Sequence, residues 1–290
     1  MAMERGGHEH GAMDGMMGTE GVAQSGEWTS YPMLRIRMGG DGRKQAVITA
    51  VPLNITVDGI DAYSNNLKDE NAHRRFAMDM AGARLDKPAS GGFHWLSARE
   101  EQGRKVLVAS SVFSFAGSGA KDPTAMFMQQ KHELEIIPQP YPREHSRYRA
   151  GEKWKFLVRF KGIPLSGRKV VLETQNGTRS EWVSDAQGVV TVHLPEDIEA
   201  EAERKEAGEP RRVMQGMQGF DFVLATEYSD GGKVYLTAFN GSYGRNAYDK
   251  RSLAMGLGFV LLGMMGAAPL LRRRSSVAKN RDAVAGHKEI

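Results

Sequence analysis

The chain has 290 residues, 40% hydrophobic and 26% charged, a balance that suits a body folded in water and excludes a chain made mainly of membrane spans or of disorder. Its 39 Lys and Arg against 35 Asp and Glu leave a net charge of only +4, part of it in a short C-terminal tail, which gives no argument for a nucleic-acid partner. There is no cysteine, so disulfides, thiolate metal centres, iron–sulfur clusters and thiol catalysis are excluded together, and any metal must be held by His, Met, Asp or Glu.

Residues 1–27 form a polar lead rich in Gly, Met and His, expected to be disordered. Within it His8, His10, Met13, Met16 and Met17 lie close together, beside Glu9 and Asp14. Thioethers suit Cu(I) and imidazoles suit Cu(II) or Ni(II), so these five residues are the candidate metal ligands; the competing reading is a leader whose His and Met are incidental. The lead has no apolar stretch of the kind an export signal needs.

From residue 28 onward, short runs of Val, Ile, Phe and Trp alternate with Gly, Pro and Asp, the pattern of many short strands. Strands are expected over 33–38, 46–57, 92–99, 105–115, 134–137, 153–160, 169–174, 181–183, 189–194, 221–228 and 233–239. In 153–160, Trp154, Phe156, Val158 and Phe160 share one face, while Lys153, Lys155, Leu157 and Arg159 take the other, expected to be mostly wet. Asp230-Gly231-Gly232 predicts a tight hairpin, because glycine accepts the positive φ angles such turns require. Residues 196–209 have helix formers but no apolar face and read as a loop or surface helix. Pro138, Pro140 and Pro142 are expected to interrupt ladder bonding, placing a boundary between a β-rich module over 28–137 and a second sandwich over 138–250. The fold class is therefore all-β, with one or two immunoglobulin-like or transthyretin-like β-sandwich modules.

The 19 residues 253–271 carry no charge and are closed by Arg272, Arg273 and Arg274. That length crosses a hydrocarbon layer of ~30 Å as a helix, and Gly256, Gly258, Gly263, Gly266 and Pro269 are better tolerated in a membrane helix than in a soluble one. Leu253, Phe259, Leu262 and Leu271 with the three arginines are thus the expected membrane anchor, their partner the lipid bilayer. Positive charge is denser after the segment than before it, so residues 272–290 are expected in the cytoplasm and the folded body outside; a cytoplasmic body is the alternative.

Elsewhere the chemistry is sparse. Met126 and Met128 are expected on one strand face with His132, and Met78, Met80, Met214 and Met217 read as adaptable filler. His94, His145 and His193 read as structural histidines. No HExxH, GxSxG or phosphate-loop lysine occurs, and Gly117-Ser118-Gly119 lacks a following helix, so no enzyme activity is expected.

Four stretches carry a family likeness: Leu134-Glu135-Ile136-Ile137-Pro138, Ala150-Gly151-Glu152, Lys161-Gly162-Ile163-Pro164-Leu165-Ser166-Gly167, and Ser184-Asp185-Ala186-Gln187-Gly188. Together they resemble the immunoglobulin-like, carboxypeptidase-regulatory-like module of the bacterial family called the nickel/cobalt uptake substrate-specific transmembrane component. The resemblance implies a single-pass protein of the bacterial inner membrane with a periplasmic module. It also implies a nickel or cobalt ion as ligand, to which the His and Met of the N-terminal lead add copper, and a transporter or other membrane protein complex as partner. A non-catalytic accessory or structural subunit docking on such a complex is the alternative function.

Overall fold

The computed structural model describes residues 28–39, 47–65, 72–87, 91–115, 122–141, 148–198 and 219–245. In chain order the elements are β1 (Met33–Gly39), β2 (Val47–Leu53), β3 (Gly59–Ser64), β4 (His73–Asp79), β5 (Gly82–Asp86), β6 (Gly92–Gln102), β7 (Lys105–Phe115), α1 (Thr124–Met128), β8 (Leu134–Gln139), β9 (Tyr148–Arg149), β10 (Lys153–Phe160), β11 (Ile163–Pro164), β12 (Lys169–Thr174), β13 (Arg179–Val183), β14 (Val189–His193), β15 (Gly219–Asp230) and β16 (Lys233–Gly244). The all-β class holds. A 12-stranded sheet runs β1-β2-β5-β4-β3-β6-β7-β16-β15-β12-β13, with β9 beside β16; a 4-stranded sheet has β10 between β8 on one edge and β14 and β11 on the other.

Alternation along β6 and β7 explains the layering. Phe93 and Trp95 of β6 and Val106, Val108 and Val112 of β7 face the small sheet, where Phe156, Val158, Val190 and Val192 complete one core with Phe222, Leu224 and Phe239. Leu96, Ala98, Leu107 and Ala109 point the opposite way, into a second core closed by Leu34, Ile48, Ala50, Ala83 and Leu85. The large sheet thus folds β1, β2 and β5 back across its own middle, and β6–β7 are buried on both faces. Asn240 of β16 fixes that return. Its amide accepts from the Leu34 N–H and donates to the Leu34 carbonyl, both at 2.9 Å, saturating the outer edge of β1. Leu34 therefore spends neither group on β2, where its partner is Pro52, and β5 no longer pairs with β2 beyond Ala50, so the proline's missing N–H costs no ladder bond.

β15 and β16 form the longest hairpin, with Gly231 at φ 55° and Gly232 at φ 75° as its two loop residues. Lys161 (φ 48°) and Gly162 (φ 80°) make the same kind of two-residue turn between β10 and β11.

Three expectations need correction. The strands on either side of residue 138 do not form separate sandwiches: β16 pairs in parallel with β7, and one core draws on both stretches. Pro138 lies within a ladder, opposite Phe156; β8 pairs only with β10, and an edge strand tolerates a residue with no donor. The second face of β10 is not wet along its length, because Leu157 and Arg159 are buried. Among the described residues no helix is long and apolar enough to cross a membrane; residues 253–271 lie outside them.

Candidate functional site

The densest group of ionisable side chains sits where the connection from α1 to β8 crosses between the sheets. Glu135 of β8 and Arg159 of β10 are direct cross-strand partners, both almost fully buried, and their side chains meet at 2.8 Å. The remaining guanidinium hydrogens go to the carbonyls of Met128 (2.9 Å), Gln129 (3.0 Å) and Phe127 (3.3 Å), where α1 ends. The second Glu135 oxygen accepts the backbone N–H groups of Lys131 (3.1 Å) and His132 (3.4 Å). A short helix with no side-chain cap has its end satisfied by a buried ion pair.

Lys131 continues the same network. Its ammonium donates to the carbonyls of Met126 (2.6 Å) and Gln129 (2.8 Å) and stands 4.9 Å from the Trp95 ring centroid and 5.5 Å from that of Tyr63. Burial pulls its pKa down to about 8, against the opposing pull of Glu135. Tyr63, pushed up to about 12 by burial, stacks on His73 at 4.3 Å, and His73 meets Asp61 at 3.0 Å. Beyond Lys131, Glu133 pairs with Arg99 at 2.9 Å; burial works against the Glu133 charge, yet the guanidinium holds its pKa below the usual value.

His132 lies between these two pairs, and burial drives its pKa down to about 4, so the ring is neutral at physiological pH. Its Nε2 has no hydrogen-bond partner, a condition shared by Trp95 Nε1 and Ser97 Oγ on the neighbouring strand β6. A neutral histidine beside a lysine of depressed pKa is the kind of pairing that active sites exploit. Here the Lys131 ammonium donates to two backbone carbonyls, and the Glu133 and Glu135 carboxylates are paired with guanidinium groups. What the arrangement does chemically is pin residues 127–135 to the small sheet.

A second cluster pins the opposite end. Asp197 accepts from Tyr243 Oη (2.6 Å), Thr178 Oγ1 (2.7 Å), Thr174 Oγ1 (3.2 Å) and Asn176 Nδ2 (3.2 Å). Burial alone would raise the Asp197 pKa, but these donors hold it below the ordinary value.

No family model matches the chain, and no curated protein matches it.

His8, His10, Met13, Met16 and Met17 lie outside the described residues, as do Leu253, Phe259, Leu262, Leu271, Arg272, Arg273 and Arg274, and His145, Met214 and Met217. Among the described residues no group of three or more His, Cys, Asp or Glu is placed to hold a metal ion. His94 is buried edge-on against Phe115, with Nδ1 3.2 Å from the Gly92 carbonyl, and the exposed His193 has its Nε2 2.9 Å from the Gly151 carbonyl. Met126 and Met128 are not on a strand with His132: they belong to α1, where Met126 is buried and Met128 is half exposed. The ion pair Glu135–Arg159 escaped the sequence reading. The sequence leaves little trace of it, since Arg159 shares its strand face with Lys153 and Lys155.

Proposed function

We propose that the chain is a single-pass, membrane-anchored β-sandwich protein whose folded body lies outside the cytoplasm. It acts there as a non-catalytic accessory component of a membrane protein complex, one that handles a transition metal such as nickel, cobalt or copper. The observation that carries this reading is the junction at the C-terminal end of the fold. The longest hairpin finishes at Gly244, and after only residues 245–252 comes the uncharged stretch 253–271, closed by three arginines. The buried Glu135–Arg159 pair is committed to holding the α1–β8 connection, which supports a structural role for that cluster over a catalytic one.

One feature favours the metal-handling part of this reading: a chain without cysteine places two histidines and three methionines between residues 8 and 17; a purely structural accessory subunit is the alternative. In the bacterial setting implied by the family likeness, the body is periplasmic, residues 272–290 are cytoplasmic and the partner is a transporter or similar complex.

Two experiments separate the parts of this proposal. Carbonate-washed membranes should retain the full chain, and mild detergent should extract it with a defined partner; release by carbonate contradicts the anchor, and a lone monomer contradicts the accessory role. Titration of the full chain with Cu(I), Cu(II) and Ni(II), against a chain lacking residues 1–20, tests the metal. Binding weaker than ~10 μM in both, about −7 kcal/mol, refutes it.

A further inference from the structure

Resting on the anchored reading above, we infer which end of the body meets the bilayer: the end where β15 begins and β16 finishes lies against the lipid headgroups, and the Asp230–Lys233 hairpin tip points away. The reach of the chain between the body and the span decides between the two ends. From Lys233 to Gly244 the strand extends about 36 Å at ~3.3 Å per residue. Gly244 and Leu253 are nine residues apart in sequence, a stretch that spans at most ~32 Å. An inverted body, tip down on the headgroups, would hold Gly244 ~36 Å above them, and a headgroup layer of roughly 5–7 Å would still separate it from the hydrocarbon where Leu253 must sit. The chain is too short for that arrangement.

The fold gathers several turns at each end. Near Gly244 lie Gly219, its ladder partner; Arg149 of β9, paired with it; Ala150, whose N–H bonds the Gly244 carbonyl at 2.9 Å; and Gln175, whose N–H bonds the Asp221 carbonyl at 2.9 Å. At the other end Lys105 pairs with Val234, and Lys161 meets Asp230 at 2.9 Å. Among the described residues, the membrane-facing end exposes Gly219, Gln175, Lys153, His193, Glu196 and Arg245, all polar or small. Among the described residues, none of the exposed large apolar side chains, Met38, Met80, Met128, Ile163 and Val183, is in those turns, as suits a contact with headgroups.

The test uses the full chain in phosphatidylcholine nanodiscs with an energy acceptor on the headgroups. The chain has no cysteine, so each single-cysteine variant takes one donor dye. Gly219→Cys and Ser229→Cys lie on one face of β15, ten residues and ~33 Å apart. A Cβ at residue 219 meets nothing closer than 3.5 Å, and Ser229 is exposed. Lys153→Cys and Lys105→Cys repeat the comparison at other turns. A fifth variant, Leu262→Cys, is read separately with nitroxide-bearing acyl chains. We expect transfer from residues 219 and 153 to exceed that from 229 and 105 roughly twofold or more, given the ~33 Å difference. Equal or reversed transfer, with residue 262 quenched by acyl nitroxide, overturns the orientation while leaving the anchor intact. An unquenched residue 262 overturns the anchor itself, and the orientation with it.

Discussion

Removing one member of the Glu135–Arg159 pair should be among the most damaging substitutions in the body. Both side chains are almost fully buried and 2.8 Å apart, so Glu135→Leu strands a guanidinium in the interior and Arg159→Met strands a carboxylate. Either loss is expected to cost about 3–5 kcal/mol. That is a large part of the ~5–15 kcal/mol that holds a typical domain together. The double substitution removes both charges and leaves only the carbonyls of residues 127–129 and the N–H groups of Lys131 and His132 to be satisfied. Since Met128 is half exposed, water can reach part of that set, so the double variant should fall short of the summed single losses by at least about 2 kcal/mol. Urea unfolding of the full chain in detergent, followed by tryptophan emission, measures all three. Trp95 lies beside Lys131 and reports on this region directly. Single losses under about 1 kcal/mol, the range of an exposed pair, or strictly additive losses, would refute the view that a buried pair clamps α1.

Three further predictions follow the same logic. The His132 ring has its pKa lowered to about 4, so its contribution to stability is complete above the unfolded value near 6.5 and is lost as pH falls from there toward 4; relative to His132→Phe, the wild type should lose up to about 3 kcal/mol over that window, read from unfolding curves at stepped pH. Asn240→Ala removes both hydrogen bonds to the Leu34 backbone and should cost about 2–5 kcal/mol, with amide exchange at Leu34 rising before exchange in β15 and β16. Tyr243→Phe removes one of four donors to Asp197 and should cost only about 1–2 kcal/mol, while raising the Asp197 pKa in a carboxylate NMR titration.

Strands with Val, Ile or aromatic residues in alternation were legible in the sequence, and β7, β10 and β12 fall where the pattern places them. β3, β4 and β5 were missed. β4 is exposed along most of its length and carries His73, Arg74 and Arg75, so no apolar period marks it; it is a strand because β3 and β5 flank it. The sheet-wide pairing of β7 with β16 was not legible either, since a parallel contact between distant strands leaves no local signature. The helix α1 is too short to show a period and is held by the buried pair instead. That pair was hidden for a related reason: Glu135 and Arg159 look like solvent-facing residues until the returning chain covers them.

Membrane sidedness tests the central claim most directly. A membrane-impermeant maleimide added to intact spheroplasts should label Ser229→Cys on the body and spare Ser275→Cys in the basic tail, which should react only after lysis. Labelling of residue 275 from outside, with residue 229 protected, would place the body in the cytoplasm and contradict the account.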